Sequence, residues 1–143
     1  MSNKIAIITG ASRGLGKNTA LHLASRGTDI ILTYHSRKEE AEAVVAEVEQ
    51  SGRKAAALQL NTGNSASFPA FASAVKALLA NQWQRDSANY LVNNAGFGTL
   101  GSFAEQVYAV RAYSAQVPLT VSLFVTFLRE SFAQGFQQKV LAA

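Results

Sequence analysis

The chain has 143 residues, which is enough for one domain with a sizeable core and too few for two ordinary domains. Apolar residues make up 48% and charged residues 15%, a balance that excludes an intrinsically disordered chain. No apolar run approaches the length of about 18 residues that a membrane span needs. The apolar run near the N-terminus ends at a glycine turn instead of a small-residue cleavage site, so it predicts a first strand and not a signal peptide.

The charge and the cysteine content further limit the classes of protein and of ligand that the sequence allows. The net charge is +4 and the basic residues are scattered, which is typical of a mildly basic protein; a basic pocket for a phosphorylated ligand is the alternative. No basic stripe with interleaved aromatic residues is present, which argues against a nucleic-acid partner. The chain has no cysteine, so disulfides and thiolate metal sites are excluded, and we expect a cytoplasmic location.

The first hundred residues alternate between strand and helix patterns. Short apolar runs predict strands at residues 4–9, 29–34, 54–60 and 90–93. Helical patterns between them cover residues 14–26, 36–50 and 67–82. Gly27 suits a left-handed C-cap of the first helix, Ser36 and Glu39 have the spacing of a capping box, and Pro69 lies in the first turn of the third helix.

This order of elements predicts the fold class. Near-continuous apolar strands with helices between them indicate a parallel sheet that is covered on both faces. Right-handed crossovers then give an α/β fold, a Rossmann-like doubly wound parallel sheet with the strand order 3-2-1-4.

The character of the chain changes after about Phe103. The only acidic residues beyond it are Glu105 and Glu130, and residues 117–128 fit both a strand alternation and a helix stripe. We therefore predict one domain overall, in which residues 1–103 form the Rossmann-like half and residues 104–143 a divergent apolar segment packed on it. The α/β context favours a helix at 117–128, although β-branched residues favour a strand.

A glycine-rich segment, Thr9-Gly10-Ala11-Ser12-Arg13-Gly14-Leu15-Gly16, follows the first strand and begins the first helix. Gly10 permits a tight turn, Gly14 lets the backbone approach a pyrophosphate, and Gly16 lets the helix pack closely on the sheet. The free N–H groups and the positive dipole end of the helix then face the phosphates. This position between strand and helix distinguishes the segment from an ordinary glycine turn.

Together with Asn93-Asn94-Ala95-Gly96 after the fourth strand, this segment resembles the short-chain dehydrogenase/reductase family, through its TGxxxGxG and NNAG motifs. The resemblance covers residues 1 to about 103 and implies a Rossmann fold that binds a nicotinamide dinucleotide, here incomplete relative to the full family domain. It implies that the first motif holds the pyrophosphate, and that the second supports the fold and lines the cofactor near the ribose. The residues given these roles are Gly10, Ser12, Arg13, Gly14, Leu15, Gly16, Asn94, Ala95 and Gly96.

The residues after the second strand bear on the choice of dinucleotide. An NAD-binding site normally has a carboxylate there, which accepts hydrogen bonds from the adenosine ribose. This chain has Tyr34, His35, Ser36, Arg37 and Lys38 instead. Arg37, with Arg13 from the glycine loop, could bind a 2′-phosphate, so we expect NADP(H) to be favoured over NAD(H). A solvated helix start is the other interpretation of Arg37 and Lys38.

The end of the third strand departs from the family pattern. The family usually has an Asp there that contacts the adenine amino group, whereas this chain has Asn61 followed by Thr62. The Asn61 amide oxygen can still accept that hydrogen bond, but without charge. Asn61 could instead cap only its own loop.

The resemblance implies a catalytic Ser, a Tyr and a Lys four residues apart, and a further Asn, and the chain lacks this set. The only Tyr with a Lys at that spacing is Tyr34, with Lys38, and it lies on the adenosine side. No Asn occurs after Asn94, and His22 and His35 are the only histidines. We therefore predict no catalytic residues and no metal site.

The function predicted from the sequence is an NADP(H)-binding domain of a short-chain dehydrogenase/reductase type. The parental reaction implied by the resemblance is hydride transfer between the nicotinamide and a carbonyl or alcohol substrate, and we expect this chain to be inactive. A truncated or frameshifted reductase is one origin, and a non-catalytic nucleotide-binding or assembly module is the alternative function. The outer edge of the fourth strand, or residues 117–128, could serve for self-association.

Overall fold

The computed structural model describes residues 3–96. The predictions for residues 104–143, including the helix or strand at 117–128, lie outside this part of the chain. None of the helices in the described part is long and apolar enough to cross a membrane.

Four parallel strands form one sheet, in the order β3-β2-β1-β4 that the sequence predicts. The strands are β1 (Lys4–Ile8), β2 (Thr28–Tyr34), β3 (Ala55–Gln59) and β4 (Tyr90–Val92). The register pairs Ile7 of β1 with Ile31 of β2 on one side and with Leu91 of β4 on the other. The strand that leads into the glycine loop, β1, is therefore an internal strand with a neighbour on each side.

Three helices connect the strands: α1 (Gly14–Ser25), α2 (Lys38–Gln50) and α3 (Phe68–Leu78). The left-handed end of α1 predicted at Gly27 is confirmed: the C-cap is Arg26, and Gly27 after it has a φ of +87° and an N–H that donates to the Ala24 carbonyl at 2.9 Å. Pro69 lies in the first turn of α3, also as predicted, where its missing N–H costs no helical hydrogen bond.

The capping box predicted at Ser36 and Glu39 is wrong. Helix α2 begins two residues later than expected, its N-cap is Arg37, and no side chain caps it. Arg37 has φ −101° and ψ 70°, outside the helical region, so Ser36 lies too far from the first turn to accept from its N–H groups. The first turn carries Glu39 and Glu40, whose charges complement the helix dipole.

The third helix is shorter than the predicted range of 67–82. A single 3-10 turn (Ser65–Ser67) precedes α3, and a π-helical segment (Leu79–Trp83) follows it. Gln84 ends that segment in the left-handed region with a φ of 52°. The wider turn keeps Leu79 buried and brings Trp83 to the amino-terminal edge of the sheet.

Helices cover both faces of the sheet, so alternate residues of β1 enter two separate cores. Ile5 and Ile7 pack with the buried residues of α3, which are Phe68, Phe71, Ala72 and Val75. Ala6 and Ile8 pack with the buried alanines and valines of α1 and α2, which are Ala20, Ala24, Ala41, Val44 and Val48. Small residues on α1 let that helix lie close to the sheet, directly after the glycine loop.

Candidate functional site

The glycine loop leaves β1 at the carboxyl-terminal edge of the sheet, where ligands of open α/β sheets bind. Gly10 and Gly14 both have positive φ values, +64° and +58°, a conformation that costs a residue with a Cβ about 1–2 kcal/mol. Two of the predicted site glycines are therefore required by the backbone itself.

Gly10 and Gly16 are also required by close approach. A Cβ on Gly10 would lie 2.8 Å from the Ala95 Cα. A Cβ on Gly16 would lie 2.6 Å from the Gly10 carbonyl oxygen and would collide with the Asn94 side-chain amide. The glycine loop and the segment after β4 are thus packed against each other with no space for a methyl group.

Asn94 and Ala95 hold the glycine loop by hydrogen bonds. The side-chain amide of Asn94 donates to the carbonyl oxygens of Thr9 and Gly10, each at 3.0 Å. The backbone N–H groups of Asn94 and Ala95 donate to the Thr9 hydroxyl at 3.0 and 2.9 Å. Of the two roles that the resemblance implies for this segment, support of the fold is the one these contacts display.

Thr33 is a site residue that the sequence analysis missed. Its side chain, 1% exposed, accepts from the Gly10 N–H at 3.1 Å, and its carbonyl accepts from the Ala11 N–H at 3.0 Å. The signal in the sequence is a hydroxyl residue near the end of an otherwise apolar strand. Thr33 of β2 thus fixes the start of the loop from one neighbouring strand, and the bonds of Asn94 and Ala95 to the Thr9 hydroxyl fix it from the segment after β4, the other neighbour.

The first turn of α1 presents free backbone donors. The Lys17 N–H is the first to bond within the helix, to the Arg13 carbonyl at 3.2 Å, which leaves the N–H groups before it without helical acceptors. A Cβ on Gly14 would meet no atom within 4 Å. Arg13 is the N-cap and caps no N–H with its side chain, and Leu15 is 73% exposed. This open cradle of N–H groups suits an anion such as a pyrophosphate.

On the side of the sheet predicted to bind the adenosine, Tyr34 is half-buried while His35, Ser36 and Arg37 are exposed. Arg37 Nη1 lies 2.5 Å from Glu40 Oε1, and Lys38 Nζ lies 3.5 Å from Glu42 Oε1. The predicted phosphate-binding guanidinium therefore has an internal carboxylate partner, which the sequence analysis did not anticipate.

Asn61 caps its own loop, since its side-chain oxygen accepts from the Gly63 N–H at 3.0 Å. The exposed Asn61 and the half-buried Thr62 follow β3, two strands away from the glycine loop. An amide oxygen has a second lone pair, so this turn is compatible with a further hydrogen bond from an adenine amino group.

Within residues 3–96, no group of three His, Cys, Asp or Glu side chains is placed to hold a metal ion. Lys38, the only lysine four residues after a tyrosine in the sequence, pairs with Glu42 on α2. The exposed His22 lies on α1 and is not part of the glycine-loop contacts.

Comparison with known proteins identifies the family. The family model for short chain dehydrogenases matches residues 4–126. This chain belongs to the short-chain dehydrogenase family. The match includes both motifs and extends past Phe103, where the sequence resemblance was expected to end.

The members of the family that are similar to this chain match it over different fractions of its length. The 3-oxoacyl-(acyl-carrier-protein) reductase of Staphylococcus aureus is 40% identical over 93 residues, which are 65% of this chain and 35% of that enzyme. Acetoin dehydrogenase from Enterobacter cloacae is 34% identical with a TM-score of 0.69, over 92% of this chain and 50% of that one. A short-chain dehydrogenase from Burkholderia cenocepacia in complex with NADP is 31% identical with a TM-score of 0.69, over 93% of this chain and 51% of that one.

The chain thus spans about a third of the length of that curated reductase and about half of those solved structures. The part described here is the glycine-loop half of the family fold.

Proposed function

We propose that this chain binds a nicotinamide dinucleotide at the carboxyl-terminal edge of its sheet and prefers NADP(H) to NAD(H). The observation that carries the proposal is the presence of an arginine at the N-cap of both α1 and α2. A helix N-terminus repels cations, so both arginines are unfavourable there unless an anion lies close by. Glu40 supplies that anion for Arg37, whereas no carboxylate pairs with Arg13 among residues 3–96.

The pyrophosphate would lie on the first turn of α1. The N–H groups of Gly14, Leu15 and Gly16 would donate to it, with the space beside Gly14 allowing close approach. The exposed Leu15 would be covered by the ligand, and Ser12 and Arg13 would border the same cradle. Asn94, Ala95 and Gly96 would keep the loop in the conformation that the ligand needs.

The adenosine half would extend towards α2 and the end of β3. Tyr34, His35 and Ser36 would border the ribose, and Asn61 and Thr62 the adenine. Arg37 follows β2, the neighbour of the strand before the glycine loop. A guanidinium is a bidentate donor, so Arg37 at this position suits a 2′-phosphate. The NADP complex of the Burkholderia cenocepacia relative supports this choice of dinucleotide.

The chemistry that the dinucleotide supplies when bound is hydride transfer, and a carbonyl or alcohol compound would be the substrate of a full-length relative of this chain. We expect no turnover from this chain, because its sequence lacks a Tyr and a Lys four residues apart outside the adenosine side. A neutral Tyr with a pKa of about 10 needs such a lysine to exchange protons near neutral pH. Binding of the dinucleotide without turnover is also what a non-catalytic nucleotide-binding or assembly module would show.

Calorimetric titration of the 143-residue chain with NADPH and NADH tests the proposal. We expect tighter binding of NADPH, and we expect Arg13→Gln to weaken it about fivefold or more, because a charge-assisted contact to phosphate is lost. The matched control is Arg26→Gln, which removes the same charge from the other end of α1. Equal affinity for NADPH and NADH, or an equal loss of NADPH affinity in Arg13→Gln and Arg26→Gln, would refute the proposed phosphate site.

A further inference from the structure

The proposed 2′-phosphate site requires the guanidinium of Arg37, and in the structure this guanidinium forms an ion pair with the carboxylate of Glu40. Arg37 Nη1 and Glu40 Oε1 lie 2.5 Å apart. Arg37 is the N-cap of α2, and Glu40 lies three residues later in its first turn. Both side chains are about half exposed, at 51% and 41%, so this pair is accessible to a ligand and is screened by solvent.

We propose that Glu40 is a specificity-determining residue, which lowers the affinity of this site for the 2′-phosphate by competing for Arg37. This inference rests on the proposed function. A phosphate can take the guanidinium only if the Arg37–Glu40 ion pair opens, and the freed carboxylate then remains close to the phosphate as a like charge. Glu40 makes no contact with a neutral 2′-hydroxyl in this scheme, so its effect is confined to the phosphorylated cofactor.

The other acidic residues of α2 provide the comparison. Glu42 pairs with Lys38, and Glu47 pairs with Lys17 of α1 at 2.5 Å. Glu39 lies in the same first turn as Glu40, and no ion pair involves it among residues 3–96. Glu39→Gln therefore removes the same charge from the same turn without releasing Arg37.

The size of the effect follows from the exposure of the pair. Solvent-exposed ion pairs contribute little, so release of Arg37 is expected to strengthen binding by about twofold to fivefold and not by orders of magnitude. Charges further than about 8 Å from Arg37 are largely screened at physiological salt, so they contribute less than Glu40 does.

The probe is adenosine 2′,5′-bisphosphate, with 5′-AMP as its partner that lacks the 2′-phosphate, because both require only the adenosine half of the site. Their affinities are measured by calorimetry for the full chain and for the variants Glu40→Gln, Glu39→Gln and Arg37→Gln. We expect Glu40→Gln to strengthen binding of the bisphosphate twofold to fivefold, with no change for 5′-AMP, and Glu39→Gln to have a clearly smaller effect. In the Arg37→Gln background, the gain from Glu40→Gln should shrink, because the residue for which Glu40 competes is gone.

Two failures are distinguishable. If Arg37→Gln weakens bisphosphate binding while Glu40→Gln behaves like Glu39→Gln, the proposed phosphate site stands and the role of Glu40 is overturned. If Arg37→Gln leaves bisphosphate binding unchanged, the phosphate site itself is wrong and the role of Glu40 is overturned with it.

Discussion

Gly14 and Gly16 are both glycines of one motif, but the chain needs them for different reasons. Gly16 is enclosed by the Asn94 side chain and the Gly10 carbonyl oxygen, whereas the space beside Gly14 is open. The requirement at Gly16 is therefore one of packing within the protein. At Gly14 it is one of backbone conformation and of access for a ligand.

The two alanine variants should separate these requirements. We expect Gly16→Ala to destabilise the fold by about 1–3 kcal/mol, because the methyl group collides with atoms that hold the loop. We expect Gly14→Ala to cost about 1–2 kcal/mol, from its positive φ alone, and to weaken dinucleotide binding beyond that loss. Urea unfolding and NADPH titration of both variants measure the two effects. If Gly14→Ala and Gly16→Ala lost the same stability and the same NADPH affinity, the two glycines would not have the separate roles described above.

Thr9, Thr33 and Asn94 show why part of the site was predictable and part was not. Asn94 belongs to a motif that the sequence displays directly, and its position after β4 was predicted. The contact of Thr33 with Gly10 joins residues 23 positions apart, so it depends on the pairing of β1 with β2 and not on local pattern. Hydrogen bonds of this kind become visible only once the sheet is assembled.

At the scale of elements, the amino-terminal edge of the sheet is held by one buried carboxylate. Asp29 of β2 is 1% exposed, and it accepts from the Lys54 N–H at 3.0 Å and from the Trp83 indole N–H at 2.9 Å. These contacts join β2 to the start of β3 and to the π-helical segment after α3. A buried carboxylate is tolerated here because hydrogen-bond donors surround it.

Asp29→Asn should destabilise the chain by about 1–3 kcal/mol, because an amide group turns an N–H towards donors that need an acceptor. Asp86→Asn is the control, an exposed aspartate whose loss should change stability by no more than about 0.5 kcal/mol. Trp83 is the only tryptophan, so its fluorescence reports the same contact during urea unfolding. Equal midpoints for the two variants would show that the Asp29 contacts are not stabilising.

The elements differ in how well the sequence predicts them. Glycines and apolar runs mark the strands and α1 clearly, and the sheet order follows from the alternation of strands and helices. The start of α2 was misplaced because the Ser36–Glu39 spacing is a local signal that the non-helical backbone of Arg37 overrides. The π-helical segment after α3 has no sequence signature, since the apolar stripe continues through Leu78 and Leu79 and only packing selects the wider turn.

Across the whole molecule, the cations at the two edges of the sheet differ in how they interact with the helix dipoles. Helices run opposite to the strands, so their C-termini meet at the amino-terminal edge, where cations complement the helix dipoles. Arg26 is the C-cap of α1, and Arg53 and Lys54 donate to the carbonyl oxygens of Gly27 and Gln82. The arginines at the opposite edge, Arg13 and Arg37, oppose the dipoles of their helices.

This contrast is what connects the charge of the molecule to its function. Cations at the amino-terminal edge are accounted for by the fold itself. At the carboxyl-terminal edge, Glu40 pairs with Arg37, but Arg13 has no carboxylate partner among residues 3–96. Arg13 is the N-cap of α1, beside free N–H groups and two positive-φ glycines, where an anionic ligand would offset its cost. This edge of the sheet is therefore where we propose that a dinucleotide with an additional phosphate binds.

The most direct test of that claim is a thermal melt of the purified chain, alone and with NADPH, NADP⁺, NADH and NAD⁺. A ligand that binds only the native state stabilises it by about 2.7 kcal/mol at a hundred times its Kd. We predict one cooperative transition whose midpoint rises more with NADP(H) than with NAD(H) at equal concentration. A larger rise with NAD(H) would overturn the proposed preference for NADP(H), and no rise with any of the four would overturn dinucleotide binding itself.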